Sequence, residues 1–243
     1  MALNSILIFF FGAALFMVAI ASEAPSVCSS GKRQSPIDIN TYEVVLNKTL
    51  EPLDRDYHIN KGTLVTNGTH VEMTFSGGGV LKINGKAYDL KKVQFHTPSE
   101  HHLNGIQYAA ELQQVHEAAD GSRAVVAILF KDGGPSCTNL DMIMPQLREL
   151  AKTPCVGHEQ KVDIRKFDLS FLRRWPRDYY RYPGSLTSPP CDENVIWNVL
   201  CEAKTISTEQ ITALSAPLCE ENKNNARPVQ PLNGRKVQTY DEV

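Results

Sequence analysis

Gln94 and His96 stand two residues apart in Gln94-Phe95-His96, and Gln113 follows in Glu111-Leu112-Gln113. Side chains at i and i+2 of a β-strand leave the same face, so residues 94 and 96 can converge on one ion. Imidazole, thiolate and carboxylate hold zinc, whereas a glutamine offers only a neutral carbonyl oxygen. Free water, with a pKa of about 15.7, is no nucleophile at neutral pH, so any chemistry that needs an activated water here depends on how well these residues hold a metal. His116 is three residues beyond Gln113, an odd step that strand alternation turns to the opposite face. His58, His70 and His158 are isolated, and a surface or capped core role is the default for each.

The elements that must position these residues read as strands. His70 to Phe75 alternates, Val80 to Ile83 follows three glycines, and Ala124 to Phe130 is an apolar run. Asn84-Gly85 and Asn104-Gly105 are turn signals. Leu140 to Leu150, apolar at Leu140, Ile143, Met144, Leu147 and Leu150, predicts a helix ended by Thr153-Pro154, with Pro145 kinking it or marking a later start. Thr208 to Ser215 predicts a second, short helix. No repeat, low-complexity run or linker divides the chain, which points to one domain of about 220 residues. The 25 basic and 27 acidic residues leave a net charge of -2 and give no support to nucleic-acid binding. Lys32-Arg33 and Arg173-Arg174 read as solvated surface.

Gln34-Ser35-Pro36-Ile37, His96-Thr97-Pro98-Ser99-Glu100-His101, Tyr108-Ala109-Ala110-Glu111-Leu112, Gly184-Ser185-Leu186-Thr187-Ser188-Pro189-Pro190 and Asn225-Ala226-Arg227-Pro228 stand in the order and near the spacing of one family. Over roughly the last 210 residues the chain resembles an α-carbonic anhydrase. The resemblance implies a mainly β fold with peripheral helices: a large twisted, mostly antiparallel sheet with a cleft at its centre. It also places Gln94 and Gln113 where the family has two of its three zinc-binding histidines, leaving His96 as the retained ligand. A gapped correspondence would instead delete a Phe-His step; either reading removes one ligand from this strand. In the family, three-histidine zinc lowers the pKa of bound water to about 7.

By the same resemblance Thr187 and Glu100 are the pair that orients zinc hydroxide. Glu111 is the carboxylate behind the third ligand, deprived here of its histidine. Val115, Val125, Leu186 and Trp197 are the apolar wall beside which the family binds carbon dioxide. Thr69 stands at the proton-shuttle position, with His70 next to it expected on the other strand face. His101 is expected in a structural hydrogen-bond network, and His102, before Asn104-Gly105, in a solvated turn. Two functions are implied. One is a carbonic-anhydrase-like protein of the storage type, with hydration lost or strongly reduced and no tightly bound cofactor, serving to bind an unknown protein or small molecule, to store, or to build extracellular structure. The alternative is an active, zinc-dependent enzyme acting on carbon dioxide and bicarbonate.

Ser5 to Ala21 is apolar and ends in Ala19-Ile20-Ala21, a small-x-small signal, so residues 1–21 read as a signal peptide cut before Ser22 and residues 22–243 as the mature domain. No later run could span a bilayer, and the carboxyl end lacks an anchor signal. The expected location is therefore extracellular or the secretory lumen. Only Ser22 to Val27 would then precede Cys28, where relatives have a longer aromatic arm. Six cysteines without a Cys-x-x-Cys pair suggest disulfides. The resemblance pairs Cys28 with Cys191, closing a long loop and stabilising by roughly 4–5 kcal/mol. Of the three pairings open to the rest, 137 with 155 and 201 with 219 is the expectation, with no free thiol. Asn47-Lys48-Thr49 and Asn67-Gly68-Thr69 are glycosylation sequons.

Overall fold

A computed structural model describes residues 27–169 and 177–241. The expected signal peptide and the Arg173-Arg174 pair lie outside these. Among the described residues the fold is a 13-stranded mixed sheet, mostly antiparallel, with a separate 3-stranded sheet of Asp38–Ile39, His102–Leu103 and Ile106–Gln107. At its middle, strand Lys86–His96 pairs antiparallel with Val71–Phe75 on one side and Ala110–Glu117 on the other. Ala110–Glu117 then pairs with Arg123–Asp132, which runs parallel to Glu193–Leu200.

Strand alternation divides the core in two. In Arg123–Asp132, Ala124, Val126, Ile128 and Phe130 join the larger apolar cluster, while Val125, Ala127 and Leu129 join a second one around Ile37, Tyr182 and Trp197. A strand buried on both faces reads in sequence as an unbroken apolar run, as this one does. The first cluster also takes Leu147 and Leu150 from helix Met144–Leu150 and Leu214 from helix Thr208–Ser215. Thr208–Ser215 forms where expected and starts at a capping box, Ser207 with Gln210. The helix expected over 140–150 is instead two: Thr138–Asp141, then Met144–Leu150 with Pro145 in its first turn. Proline lacks the N–H that a helix interior needs, so the second helix can begin there but not run through it.

Asn84-Gly85 and Asn104-Gly105 are both left-handed pairs (φ 50° and 75°, 52° and 77°), the geometry of tight hairpin turns. His102 is not in the turn that follows but in a short strand, paired with Asp38 and Gln107. Cys28 and Cys191 are bonded. The remaining pairing differs from expectation: Cys155 is bonded to Cys219, and Cys137 and Cys201 are free thiols, both partly buried. Space rather than sequence proximity decides this. The Cys219 N–H donates to the Gly68 carbonyl, next to Cys155. Cys137 is held instead at a helix start by Gln210, and Cys201 beside Tyr180.

Candidate functional site

Val93 and Phe95 point into the larger cluster, so Gln94 and His96 occupy the opposite face of strand Lys86–His96. Register does the rest. Gln113 lies opposite Gln94, Glu111 opposite His96, and Glu72 opposite Gln94 from the other side, which gathers five polar side chains on one face.

Carboxylates organise the two amides. The Gln113 Nε2 donates to Glu100 Oε2 (2.7 Å) and to Glu111 Oε1 (2.9 Å). Because an ionised carboxylate only accepts, the amide nitrogen must face these two, and the carbonyl oxygen is what Gln113 offers the cleft. Gln94 Nε2 likewise donates to Glu72 Oε2 (3.3 Å), leaving its own carbonyl oxygen. His96 is buried; its Nδ1–H donates to the Asn225 carbonyl (3.4 Å), with Glu100 Oε1 3.5 Å away. In the neutral ring this leaves the lone pair on Nε2, a buried atom with no hydrogen-bond partner.

Glu111 accepts further bonds from the Glu100 and His101 backbone N–H groups (2.9 and 2.8 Å) and from His101 Nδ1 (2.8 Å). Burial pushes its carboxyl up, but the adjoining His101 outweighs burial and holds it at about 2. The glutamine at 113 thus still reaches the carboxylate that the resemblance left without a histidine. His101 sits in a buried network, with Nε2 2.6 Å from the Tyr182 hydroxyl and its ring 4.6 Å from that of Trp197. Glu100 Oε1 accepts the Arg227 N–H (3.0 Å).

Val115, Val125, Leu186, Thr187 and Trp197 line one cavity of about 170 Å³ with Gln94 and Gln113. Among the described residues no hydrogen bond joins Thr187 to Glu100, whose oxygens are taken by Gln113 and Arg227. At the rim, Lys92 donates to Glu72 Oε2 (2.8 Å), and Arg123 bridges Glu117 (3.0 Å) and Asp192 (3.1 Å). Burial raises the Glu72 carboxyl, but hydrogen bonds from His70 and Lys92 bring it to about 2.

His70 departs from expectation. Its Nε2 lies 3.4 Å from Glu72 Oε2, on the side expected to be closed to it, while Nδ1 is 2.8 Å from Thr69 Oγ1. His70 is two residues before Glu72, so alternation itself puts the two on one face; the expectation took its phase from Thr69, which lies before the strand that begins at Val71. His116 does lie on the far face, stacked on Tyr57. Its Nδ1–H donates to the Ala124 carbonyl (3.2 Å) and Nε2 accepts from the Tyr57 hydroxyl (2.8 Å). Burial lowers its pKa to about 4. His58 and His158 are exposed. In both sequons the threonine bonds the asparagine oxygen, Thr49 to Asn47 and Thr69 to Asn67; Asn47 is also tied to Gln238, whereas Asn67 is exposed.

Sequence reasoning missed Glu72 and Lys92. Alternation of buried Val71 and Met73 around Glu72 was the available signal. It also missed Gln114, buried on the Leu112 face with neither amide atom partnered.

The chain matches the family model of eukaryotic-type carbonic anhydrases over residues 21–241. Alpha carbonic anhydrase 7 of Arabidopsis thaliana is 37% identical over 218 residues, 89% of this chain and 78% of that protein. Dioscorin DB3S of Dioscorea polystachya is 37% identical over 217 residues, covering 89% and 79%. The crystal structure of dioscorin complexed with ascorbate superposes with a TM-score of 0.84 at 35% identity, covering 89% of each chain. The α-carbonic anhydrase of Thermovibrio ammonificans, solved with the inhibitor sulfanilamide, gives 0.72 at 36% identity, covering 87% of this chain and 89% of that one.

Proposed function

The chain belongs to the eukaryotic-type carbonic anhydrase family, and on that premise we propose that it is a secreted member whose zinc-dependent hydration of carbon dioxide is lost or strongly reduced, and whose role is binding, storage or structure. One observation carries the proposal: Gln113 commits both amide hydrogens to Glu100 and Glu111, so that residue presents a neutral oxygen where the family has an imidazole. With Gln94 oriented the same way, a metal would meet one imidazole nitrogen and two amide oxygens. Zinc does not fit that set, which offers a single imidazole and, in place of the other two, neutral amide oxygens rather than imidazole, thiolate or carboxylate.

Secretion is supported by the two disulfides and by the apolar residues 5–21. Exposed Asn67 is the better placed of the two acceptors for a glycan. A small molecule is a fitting ligand, since the dioscorin structure holds ascorbate and the Thermovibrio structure holds an inhibitor.

The unpartnered Nε2 of His96 and the apolar wall favour a second reading, an enzyme that still hydrates carbon dioxide. Elemental analysis of protein purified without added metal, with a hydration assay on the same sample, separates the two. The expected result is far less than one zinc per chain and hydration at background. Stoichiometric zinc with sulfonamide-sensitive hydration selects the enzyme. Restoring Gln94→His and Gln113→His together should create zinc binding, whereas either change alone leaves two imidazoles, so the pair should be non-additive.

A further inference from the structure

Two buried carboxylates, Glu100 and Glu111, converge on the single amide nitrogen of Gln113, and a third, Glu72, holds that of Gln94. The consequence is a cleft floor whose polar atoms are acceptors: two amide oxygens, with the unpartnered lone pair of His96 one pleat deeper on the same face. Glu72 is answered by Lys92, but the Gln113 oxygen, backed by Glu100 and Glu111, attracts a positively charged hydrogen-bond donor. We propose that this cleft binds a small primary ammonium group at Gln94 and Gln113, the opposite polarity from a zinc centre, which draws anions. The inference rests on the reading that zinc is not tightly held.

The cationic rim does not oppose this. Lys92 is neutralised by Glu72, and Arg123 by Glu117 and Asp192. Lys91 faces Asp89 at 3.5 Å and is half exposed. A cavity of about 170 Å³ admits an amine of a few heavy atoms. Two amide oxygens suit N–H donors, each satisfied by one acceptor, better than an alkali ion, which needs several oxygens around it.

The test uses the full mature protein, treated with chelator, its zinc content measured, in sodium buffer at constant ionic strength. Methylammonium chloride should raise the melting temperature saturably, and isothermal calorimetry should give the same affinity. Tetramethylammonium chloride, equal in charge but without N–H, should do nothing, and potassium chloride should do nothing. Gln94→Met should weaken methylammonium at least about tenfold, as expected for a hydrogen bond to a charged group. Gln113→Leu should do the same, but it also strips Glu100 of a donor, so Gln94→Met decides if that variant fails to fold. Gln94→His with Gln113→His, loaded with zinc, should lose methylammonium binding. An equal response to tetramethylammonium or potassium, or unchanged binding in Gln94→Met, overturns the assignment. Zinc-free protein that ignores methylammonium also overturns it, whereas zinc that survives chelation stoichiometrically overturns the prior reading instead.

Discussion

Gln113→Leu keeps the shape of a buried side chain and removes two charge-assisted hydrogen bonds at once. The losses are unequal. Glu111 Oε1 keeps the His101 donor at 2.8 Å, but Glu100 Oε2 loses its one donor among the described residues, at 2.7 Å. A hydrogen bond to a charged group contributes about 1.5–3 kcal/mol, and a stranded buried acceptor costs a similar amount. The partly answered Glu111 adds less, which gives a total of roughly 2–4 kcal/mol. For a domain of this size that is a fall in melting temperature on the order of 10 °C. Urea unfolding followed by tryptophan fluorescence measures it, with Gln94→Leu as the comparison. That residue gives up a single 3.3 Å bond to a carboxylate already held by Lys92, so it should lose less than about 1 kcal/mol. Glu100→Gln in the Gln113→Leu background should cost less than the sum of the two, because the stranded charge has gone. Equal losses for the two glutamines, or a Gln113→Leu loss under about 0.5 kcal/mol, would refute the account of the floor.

One residue away, Gln114→Met should do the reverse and raise stability by about 1–3 kcal/mol, since it replaces a buried amide with no partner by an apolar side chain of like volume; unchanged thermal unfolding would count against it. His116, neutral in the fold with a pKa of about 4 against an ordinary 6.5, binds its proton more readily when unfolded. Its contribution is complete above pH 6.5 and lost as pH falls toward 4, on the order of 3 kcal/mol in all. His116→Gln should flatten that part of the stability profile in urea titrations at a series of pH values. Peptide mapping without reduction should find Cys28 with Cys191, Cys155 with Cys219, and two thiols that Ellman's reagent reaches fully only after denaturation, because burial raises both and holds Cys201 at about 11.

What was legible was local. Period-two runs marked the strands, Asn-Gly pairs the hairpin turns, and Thr208 to Ser215 a short helix. The odd step from Gln113 to His116 correctly sent that imidazole away from the cleft. Failures came where distant segments meet. Cys219 finds Cys155 rather than Cys201 because Gly68 seats its backbone. His70 shares the face of Glu72, two residues on, and was missed because the alternation was phased on Thr69, outside the strand. The partners of Gln113 could be guessed only in part, since Glu100 comes from the turn after His96 and no spacing states that its oxygen meets residue 113.

Because one amide answers two carboxylates, a path from this site toward three imidazoles is obstructed in evolutionary time. A histidine at 113 with one nitrogen given to an ion has a single N–H left, so Glu100 or Glu111 goes short of a donor as soon as the codon changes. With Gln94 still in place, that first step recruits only two imidazoles. It loses stability before it gains a metal. Selection acting one substitution at a time therefore holds the lineage on the glutamine side, and descendants should vary more freely at the rim than at residue 113.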